Sequence, residues 1–352
     1  MTRRPRALVT GGAGFVGTNL TARLVEDGRQ VVVLDNLSRP GVTENLRWLQ
    51  STYGGSVRAE IGDVRDRWTL RRALEGAVEV YHLAAQVAVT TSLDSPLDDF
   101  RVNTEATLSL LEEIRRLDEP PFLLFTSTNK VYGTLPDLAL ERSGARWQPI
   151  DPEIRAAGLS EERPLDFCTP YGCSKGAADQ YVLDYAKSYG LPAVVFRMSC
   201  IYGPHQHGNE DQGWVAHFAI RALGGQTITL YGDGAQVRDI LFVEDLVDAM
   251  QLAQADASRL AGTPFNMGGG PANAVSLLEV VEELESLGTH VTVRHAGERP
   301  GDQRYYVADT NRFAAATGWR PDVDAHEGIE RMVRWLVDQR APRRERLRAV
   351  AL

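Results

Sequence analysis

Ala7-Leu8-Val9-Thr10-Gly11-Gly12-Ala13-Gly14-Phe15-Val16-Gly17 is the stretch that decides the fold. Its apolar first part is typical of a buried strand, and the amphipathic segment after Gly17 is typical of a helix. The glycines between them fit both G-x-G-x-x-G and G-x-x-G-x-x-G. Such spacing permits a tight turn and a close approach of the backbone to a pyrophosphate at the helix N-terminus. The stretch therefore predicts the first strand, turn and helix of a dinucleotide-binding fold.

A second apolar run ends in a carboxylate. Val31-Val32-Val33-Leu34 predicts a buried strand, and Asp35 follows it. In dinucleotide-binding folds an acidic residue about 20 positions after the glycines accepts a hydrogen bond from the ribose 2′-hydroxyl and repels a 2′-phosphate. Asp35 therefore favours NAD over NADP, and the alternative interpretation is a simple turn residue.

Strands and helices alternate through the first half of the chain. Further strands are predicted at 57–61, 78–83, 122–125 and 193–196, with a helix at 96–117. This alternation predicts an α/β fold, a Rossmann-type doubly wound parallel sheet with its site at the carboxyl ends of the strands. The pattern changes later, which predicts a smaller C-terminal α/β substrate-binding domain. The expected units are 1–199 with 240–262 returning to it, then 200–239 with 263–340, and a tail at 341–352.

One polar, proline-punctuated insertion interrupts the alternation. It covers residues 134–164 and contains Trp147. Long loops in compact domains are usually functional or disordered. We interpret the insertion as a flap beside the active site. The arginine-rich tail 341–352 is expected to be a solvated end.

Composition excludes several classes of protein. The 38 basic and 47 acidic residues give a net charge of −9, which argues against a general nucleic-acid binder. The basic start resembles the first part of a signal peptide, but the apolar run after it is short, and no run approaches membrane-spanning length. We therefore expect a cytoplasmic protein without membrane contact. The three cysteines contain no C-x-x-C pair, so neither a disulfide framework nor a metal site is expected.

A tyrosine and a lysine four residues apart form the candidate catalytic pair. In Tyr171-Gly172-Cys173-Ser174-Lys175 the two side chains lie on one face of a helix. A phenol has an ordinary pKa of about 10, and a nearby ammonium lowers it toward that of a general base. Alone this spacing is weak, since a surface helix pair also fits. Thr128, after the strand 122–125, is expected to share a hydrogen bond with the oxygen that Tyr171 deprotonates, although such a hydroxyl can also satisfy turn backbone.

These features together resemble one family. The glycine turn, Asp35, Thr128 and the Tyr171/Lys175 pair occur in the order and spacing of extended short-chain dehydrogenases/reductases that act on nucleotide sugars, from about residue 6 to residue 338. Four further stretches, 82–92, 127–133, 165–181 and 211–214, are similar to its CDP-paratose 2-epimerase (CDP-tyvelose epimerase) subgroup. The resemblance implies a tightly held NAD, a CDP-linked hexose inverted at C2, and a homodimer or higher homo-oligomer.

Pattern and resemblance together give three sets of site residues. The catalytic set is Tyr171, Lys175, Thr128 and Asn129. The cofactor set adds to Tyr171 and Lys175 the residues Gly11, Gly14, Phe15, Val16, Asp35, Asn36, Ser38, Arg39, Asp63, Val64, Leu83, Ala84, Ala85, Gln86, Asn103, Thr126 and Met198. The substrate set is Gln86, Val87, Lys130, Cys200, Gln212, Tyr231, Arg238, Arg299 and Asp302.

Three positions depart from the wider family. Asn129-Lys130 stands where 4,6-dehydratases carry an Asp-Glu pair, so the acid and base for eliminating water are missing. Cys200 replaces an asparagine that is usual near the diphosphate in related epimerases, and His205 stands where arginine is common. Both replacements alter the expected phosphate contacts, for which Arg238 and Arg299 are the candidate clamp.

The resemblance also implies a mechanism. A sugar carbon without a neighbouring carbonyl is inverted by oxidation and re-reduction, with Tyr171 taking and returning the hydroxyl proton and NAD the hydride. Asn129, Lys130 and Gln86 are the candidates for holding the keto-sugar. A 4-epimerase, or a 2-epimerase of another nucleotide sugar, would use the same residues. A non-catalytic NAD-sensing protein is disfavoured because the Tyr171/Lys175 pair and Thr128 are retained.

Overall fold

The computed structural model describes residues 5–299 and 301–340. Our expectations for the basic start and for the tail 341–352 therefore lie outside the described residues. The strands are β1 (Arg6–Thr10), β2 (Gln30–Asp35), β3 (Val57–Ile61), β4 (Ala77–His82), β5 (Phe122–Thr128), β6 (Leu140–Ser143), β7 (Arg146–Pro149), β8 (Ala193–Met198), β9 (Cys200–Tyr202), β10 (Ile228–Tyr231), β11 (Val237–Phe242), β12 (Pro264–Met267), β13 (Ala274–Ser276), β14 (Val293–Ala296) and β15 (Tyr305–Tyr306).

The helices alternate with the strands in the first half of the chain. They are α1 (Phe15–Glu26), α2 (Val42–Tyr53), α3 (Arg67–Leu74), α4 (Val89–Asp94), α5 (Pro96–Phe100), α6 (Ala106–Arg115), α7 (Pro152–Ala157), α8 (Thr169–Tyr189), α9 (Trp214–Leu223), α10 (Val243–Ala255), α11 (Ala257–Leu260), α12 (Leu277–Ser286), α13 (Asn311–Thr317) and α14 (Ala325–Arg340). Among these described helices, none is long and apolar enough to cross a membrane.

A seven-stranded parallel sheet forms the centre of the molecule. Its order is β12-β8-β5-β4-β1-β2-β3. Every residue of β5 is buried, as expected for a strand covered by helices on both faces. The strands after β1 run outward first on one side and then on the other, so the chain reverses between β1 and β4. A ligand crevice opens at this switch point, at the carboxyl ends of the strands. The predicted Rossmann-type fold is confirmed.

A smaller α/β unit carries the second half of the predicted site. In it β11 pairs with β9, β13 and β15, and β10 pairs with β14. Helices α9, α12 and α14 pack around a separate apolar core that includes Phe218, Leu284 and Met332. The predicted C-terminal α/β unit is therefore present.

The boundaries between the two units differ from the prediction. We expected 240–262 to return to the first domain as strand and helix. Helix α10 does pack on α1, but β11 stays in the smaller sheet. The strand that returns is β12, which we had placed in the second domain. Its buried Phe265 and Met267 pack with Phe196 and Phe313. A four-residue strand that begins with proline carries too little periodicity to be recognised from sequence.

The insertion 134–164 has secondary structure of its own. It contains the β6–β7 hairpin and α7, and it packs against the smaller unit. Trp147 N donates to Ala235 O at 2.9 Å, and Arg146 pairs with both carboxylate oxygens of Glu279 at 2.7 and 2.6 Å. It is thus an ordered extension of that unit. It lines one cavity with the predicted substrate residues Tyr231, Arg299 and Asp302, so it lies beside the predicted site, and its role as a flap stays a prediction.

The predicted helix 96–117 is interrupted. Residues Arg101–Glu105 form a π-helical turn between α5 and α6, and the helix ends at Arg115. Such turns often occur at functional sites. Here the turn carries Asn103, whose amide nitrogen donates to Gln86 O and to Ser174 Oγ, both at 3.0 Å. The irregular turn therefore links the loop after β4 to α8.

Candidate active site

The glycine turn brings β1, α1 and the loop after β4 into close contact. Gly11 has a φ of +66°, and a Cβ there would lie 2.8 Å from Ala84 N. A Cβ on Gly17 would lie 2.3 Å from Gly11 O, so both positions require glycine. Gly14 caps α1 without a side-chain hydrogen bond. The first amides of α1 are thus free of a protein cap, an arrangement that fits a pyrophosphate.

Two carboxylates follow β2 and β3 beside this turn. Asp35 accepts from Ala13 N at 3.1 Å and from Leu37 N at 2.8 Å, and burial raises its pKa above the ordinary value. Asp63 accepts from Arg65 and from Asn36 Nδ2, and hydrogen bonds from the Arg65 side chain lower its pKa to about 2. Both side chains lie at strand ends beside the glycine turn, where contacts to ribose and adenine are expected. These two roles stay predictions.

The predicted cofactor residues lie where strands of the central sheet end. The turn residues follow β1; Asn36, Ser38 and Arg39 follow β2; Asp63 and Val64 follow β3; Leu83, Ala84, Ala85 and Gln86 follow β4; Thr126 is in β5 and Met198 in β8. The other members come from helical segments: Phe15 and Val16 begin α1, and Tyr171 and Lys175 lie on α8. Asn103 lies in the π-helical turn, and its Oδ1 accepts from Gln86 N at 2.9 Å.

Gln86 is hydrogen-bonded within its own loop, and its predicted contact with the substrate stays a prediction. Its amide nitrogen donates to Ala88 O at 2.7 Å, and its amide oxygen accepts from Ala88 N. Both ends of the side chain are therefore used within its own loop, and Gln86 does not line the cavity described below. A short loop offered these local partners, which residue type alone does not reveal.

Tyr171 and Lys175 are buried, not a surface pair. Their exposures are 8% and 3%. Lys175 Nζ donates to Thr126 O at 2.6 Å and lies 4.2 Å from the ring centre of Phe125. Burial lowers the pKa of Lys175 to about 7. The ammonium is thus directed at the end of β5.

The pKa of the Tyr171 phenol is raised in the protein without its ligands. Burial raises its pKa to about 12, Asp99 adds to this rise, and Thr128 and Arg39 oppose it. The Lys175 ammonium donates to the carbonyl of Thr126. In the protein alone, therefore, Tyr171 is a protonated phenol at neutral pH. The expected lowering by Lys175 together with the positive charge of the nicotinamide stays a prediction for the enzyme with NAD bound.

Thr128 and Asn129 lie beside the phenol at the end of β5. Thr128 Oγ1 donates to Asn129 Oδ1 at 3.3 Å and accepts from Lys130 N at 3.2 Å. Asn129 Nδ2 donates to Gln303 Oε1 of the smaller unit at 3.1 Å. Hydrogen bonds therefore join the two units directly behind the candidate catalytic residues.

A cavity of about 370 Å³ extends from Tyr171 into the smaller unit. It brings together most of the predicted catalytic and substrate residues, namely Val87, Thr128, Asn129, Lys130, Tyr171, Cys200, Gln212, Tyr231, Arg238, Arg299 and Asp302, with the predicted cofactor residues Phe15, Val16 and Met198 at one end. The far end is formed by apolar and polar side chains of α9, β10 and α12, including Phe218, Thr229 and Leu277.

Three cations line this cavity. Arg238 Nη2 donates to Asp302 Oδ1 at 2.6 Å, and Lys130 Nζ lies 3.7 Å from the same oxygen. Burial lowers the pKa of Lys130 to about 8. Arg299 lies 3.9 Å from the ring centre of Tyr231 and 3.6 Å from Asp211. Arginine and lysine side chains in a cavity of this size suit a diphosphate.

Four polar residues that line the cavity were not among the predicted site residues. Among the described residues, the side-chain oxygens of Thr90, Ser127, Gln206 and Gln236 are buried without a hydrogen-bond partner, and all four residues line the cavity. Buried polar atoms without partners are uncommon and here indicate ligand contacts. The spacing of these four residues in the sequence does not indicate a shared site. Only Ser127, between two threonines at the end of β5, could have been singled out.

Comparison with known proteins agrees with this geometry. Residues 8–332 match the family described as GDP-mannose 4,6 dehydratase. The chain is 40% identical over 339 residues to CDP-paratose 2-epimerase of Salmonella typhi, covering 94% of this chain and 98% of that protein. The crystal structure of Thermus thermophilus UDP-glucose 4-epimerase with NAD is similar with a TM-score of 0.78 and 34% identity, covering 94% and 99% of the two chains. DesIV, a dTDP-glucose 4,6-dehydratase of Streptomyces venezuelae with bound NAD, has a TM-score of 0.80 and 30% identity, covering 95% and 98%.

Proposed function

This chain belongs to the GDP-mannose 4,6-dehydratase family of extended short-chain dehydrogenases/reductases, and we propose that it inverts C2 of a CDP-linked hexose. The enzyme is a member of the NAD-dependent nucleotide-sugar epimerases and dehydratases. The 40% identity to CDP-paratose 2-epimerase supports the cytidine nucleotide and the C2 position.

NAD is the cofactor. The free amides of α1, the close approach of Gly11 to Ala84 and the carboxylate of Asp35 fit the dinucleotide. When bound, NAD supplies the acceptor and donor of the hydride that leaves and returns to the sugar carbon. Lys175, held at the end of β5, would bind the nicotinamide ribose.

The residues of the cavity have separate tasks in an inversion. Tyr171 accepts the proton of the reacting hydroxyl and later returns it, and Thr128 orients the reacting oxygen. A pKa of about 12 means that the protein alone does not produce the phenolate, so a positive charge brought by the ligands must stabilise it. Asn129 and Lys130 are placed to hold the keto-sugar in either orientation.

One observation favours inversion over elimination of water. Among the described residues that line the cavity, the carboxylates are Glu210, Asp211 and Asp302, and all three belong to the smaller unit. Each is already engaged, by the hydroxyl of Tyr231 and by Arg299 and Arg238 respectively. Asn129 and Lys130 stand next to Thr128, where a dehydratase needs an acid and a base. Among the described residues, the reacting end of the cavity thus offers no free carboxylate for eliminating water.

The first test is turnover without added cofactor. Purified protein is incubated with CDP-paratose, and the proton couplings of the sugar are followed by NMR. Appearance of the 2-epimer supports the proposal and shows that resident NAD is recycled. The matched control is Tyr171→Phe, for which we expect bound NAD but no epimer. Inversion at C4, or turnover of UDP-glucose alone, would contradict the proposed substrate.

We also propose that the enzyme is a homodimer. Leu97 and Phe100 on α5 and Tyr181 on α8 are 59%, 48% and 42% exposed. The two helices pack side by side, so these apolar side chains form one surface. Light scattering should give twice the chain mass, and Phe100→Asp should give a monomer. A wild-type monomer at micromolar concentration would contradict the proposal.

A further inference from the structure

We propose that Gln303 is a positioning residue that fixes the orientation of the Asn129 amide and, through it, of the Thr128 hydroxyl. The inference rests on the proposed function for its kinetic part. Gln303 lies on the loop before β15, 174 residues from Asn129 in sequence, and is only 1% exposed. It does not line the candidate active-site cavity, so it acts behind the residues that do.

The hydrogen bonds form an ordered chain. Gln303 Nε2 donates to Gly133 O at 2.6 Å, and Gln303 Oε1 accepts from Asn129 Nδ2 at 3.1 Å. Asn129 Oδ1 in turn accepts from Thr128 Oγ1 at 3.3 Å. Each of these side chains is at least nine-tenths buried. Buried polar groups are normally hydrogen-bonded, so loss of one partner disturbs the next.

These hydrogen bonds can run in only one direction. A backbone carbonyl can only accept, so the end of Gln303 that faces Gly133 must be its NH₂ group. The opposite end is then the carbonyl oxygen, which accepts only and turns the NH₂ group of Asn129 toward it. The oxygen of Asn129 is left for the Thr128 hydroxyl. One anchor on the main chain thus sets both amides and the hydroxyl.

This orientation matters for the sugar. The second hydrogen of Asn129 Nδ2 remains free for the oxygen of the substrate, since Asn129 lines the cavity. Without Gln303 the Asn129 amide can turn over and present an acceptor instead. A keto oxygen would then lose its donor, and the hydroxyl of Thr128 would lose its acceptor. The loss falls on turnover more than on binding of the nucleotide.

Two substitutions separate this role from simple packing. Gln303→Glu keeps an oxygen for Asn129 Nδ2 but loses the donor to Gly133 O. Gln303→Leu keeps neither. We expect Gln303→Leu to lower kcat about 10-fold with KM for the CDP-hexose within about 2-fold, as for loss of one hydrogen bond. Gln303→Glu should keep kcat within about 3-fold, although it melts at a lower temperature than wild type.

A double-mutant cycle with Asn129 completes the test. In an Asn129→Ala background, Gln303→Leu should change kcat less than 2-fold. Equal losses of kcat in the Leu and Glu variants, or a 10-fold loss that persists in Asn129→Ala, would overturn the inference. Wild-type protein that is silent on CDP-paratose would refute the proposed function instead. In that case the same double-mutant cycle is measured by thermal unfolding. Non-additive shifts in Tm would support coupling of the Gln303 and Asn129 amides, and additive shifts would refute it.

Discussion

The pair Asp179–Arg197 provides the sharpest stability prediction. Asp179 lies on α8 one turn after Lys175, and Arg197 is in β8. Arg197 Nε and Nη2 each lie 3.0 Å from a different oxygen of Asp179, and the two side chains are 4% (Arg197) and 0% (Asp179) exposed. Arg197 Nη1 also donates to Tyr132 OH at 3.1 Å. Asp179→Asn removes the charge and one acceptor while keeping the shape.

The expected cost follows from leaving a guanidinium buried without its counter-ion, about 3–5 kcal/mol. The unfolding entropy is about 2.1 cal/mol/K per residue. For a chain of 352 residues this entropy is ~0.7 kcal/mol/K, so 4 kcal/mol corresponds to a fall in Tm of roughly 5 °C. We also expect the double variant Asp179→Asn/Arg197→Met to recover part of this loss, because no unpaired charge remains.

Calorimetric melting at pH 7 measures this difference. The matched control is Glu330→Gln, which removes the exposed helical pair with Arg334, where the side chains are 44% and 68% exposed. An exposed pair contributes at most about 0.5 kcal/mol, so Tm should move by less than about 1 °C. If Asp179→Asn shifted Tm no more than this control, the reasoning from burial would be refuted.

Three further predictions concern the cofactor end of the molecule. Lys175→Met should lower kcat at least about 100-fold and weaken the retention of NAD, which is measured as the NAD content after purification. Unchanged values would show that Lys175 does not bind the nicotinamide ribose. Gly17→Ala should prevent folding, because its Cβ would lie 2.3 Å from Gly11 O. The control Gly28→Ala, at a residue with φ +87° and no atom within 4 Å of the new Cβ, should lower the free energy of unfolding by only about 1–2 kcal/mol, measured by urea titration. Buried His82, between Thr10 and Thr107, has its pKa lowered from 6.5 to about 3. In the unfolded chain His82 is therefore protonated below about pH 6.5, whereas in the folded protein it is protonated only below about pH 3. Between these values the free energy of unfolding falls as pH falls, by up to about 1.4 kcal/mol per pH unit. His82→Asn should flatten that slope between pH 6.5 and 5, and an unchanged slope would contradict the assignment.

The sequence by itself determined the local parts of this protein. The glycine turn, the strand before Asp35 and the helix of Tyr171 and Lys175 follow from spacings within about 20 residues, which backbone geometry translates directly into structure. The ends of the parallel strands converge at one edge, which places Val87 and Lys130 in the cavity, whereas the other predicted substrate residues reach it from outside the central sheet.

Only the tertiary structure decided which partner each side chain has. Lys175 donates to the carbonyl of Thr126, and burial raises the pKa of the Tyr171 phenol. Gln86 bonded within its own loop, and β12 joined the central sheet from beyond residue 263. Gln303 meets Asn129 across 174 residues of chain. Such contacts depend on how the two units pack and on which polar groups become buried and need a protein partner. Local spacing in the sequence does not show either of these.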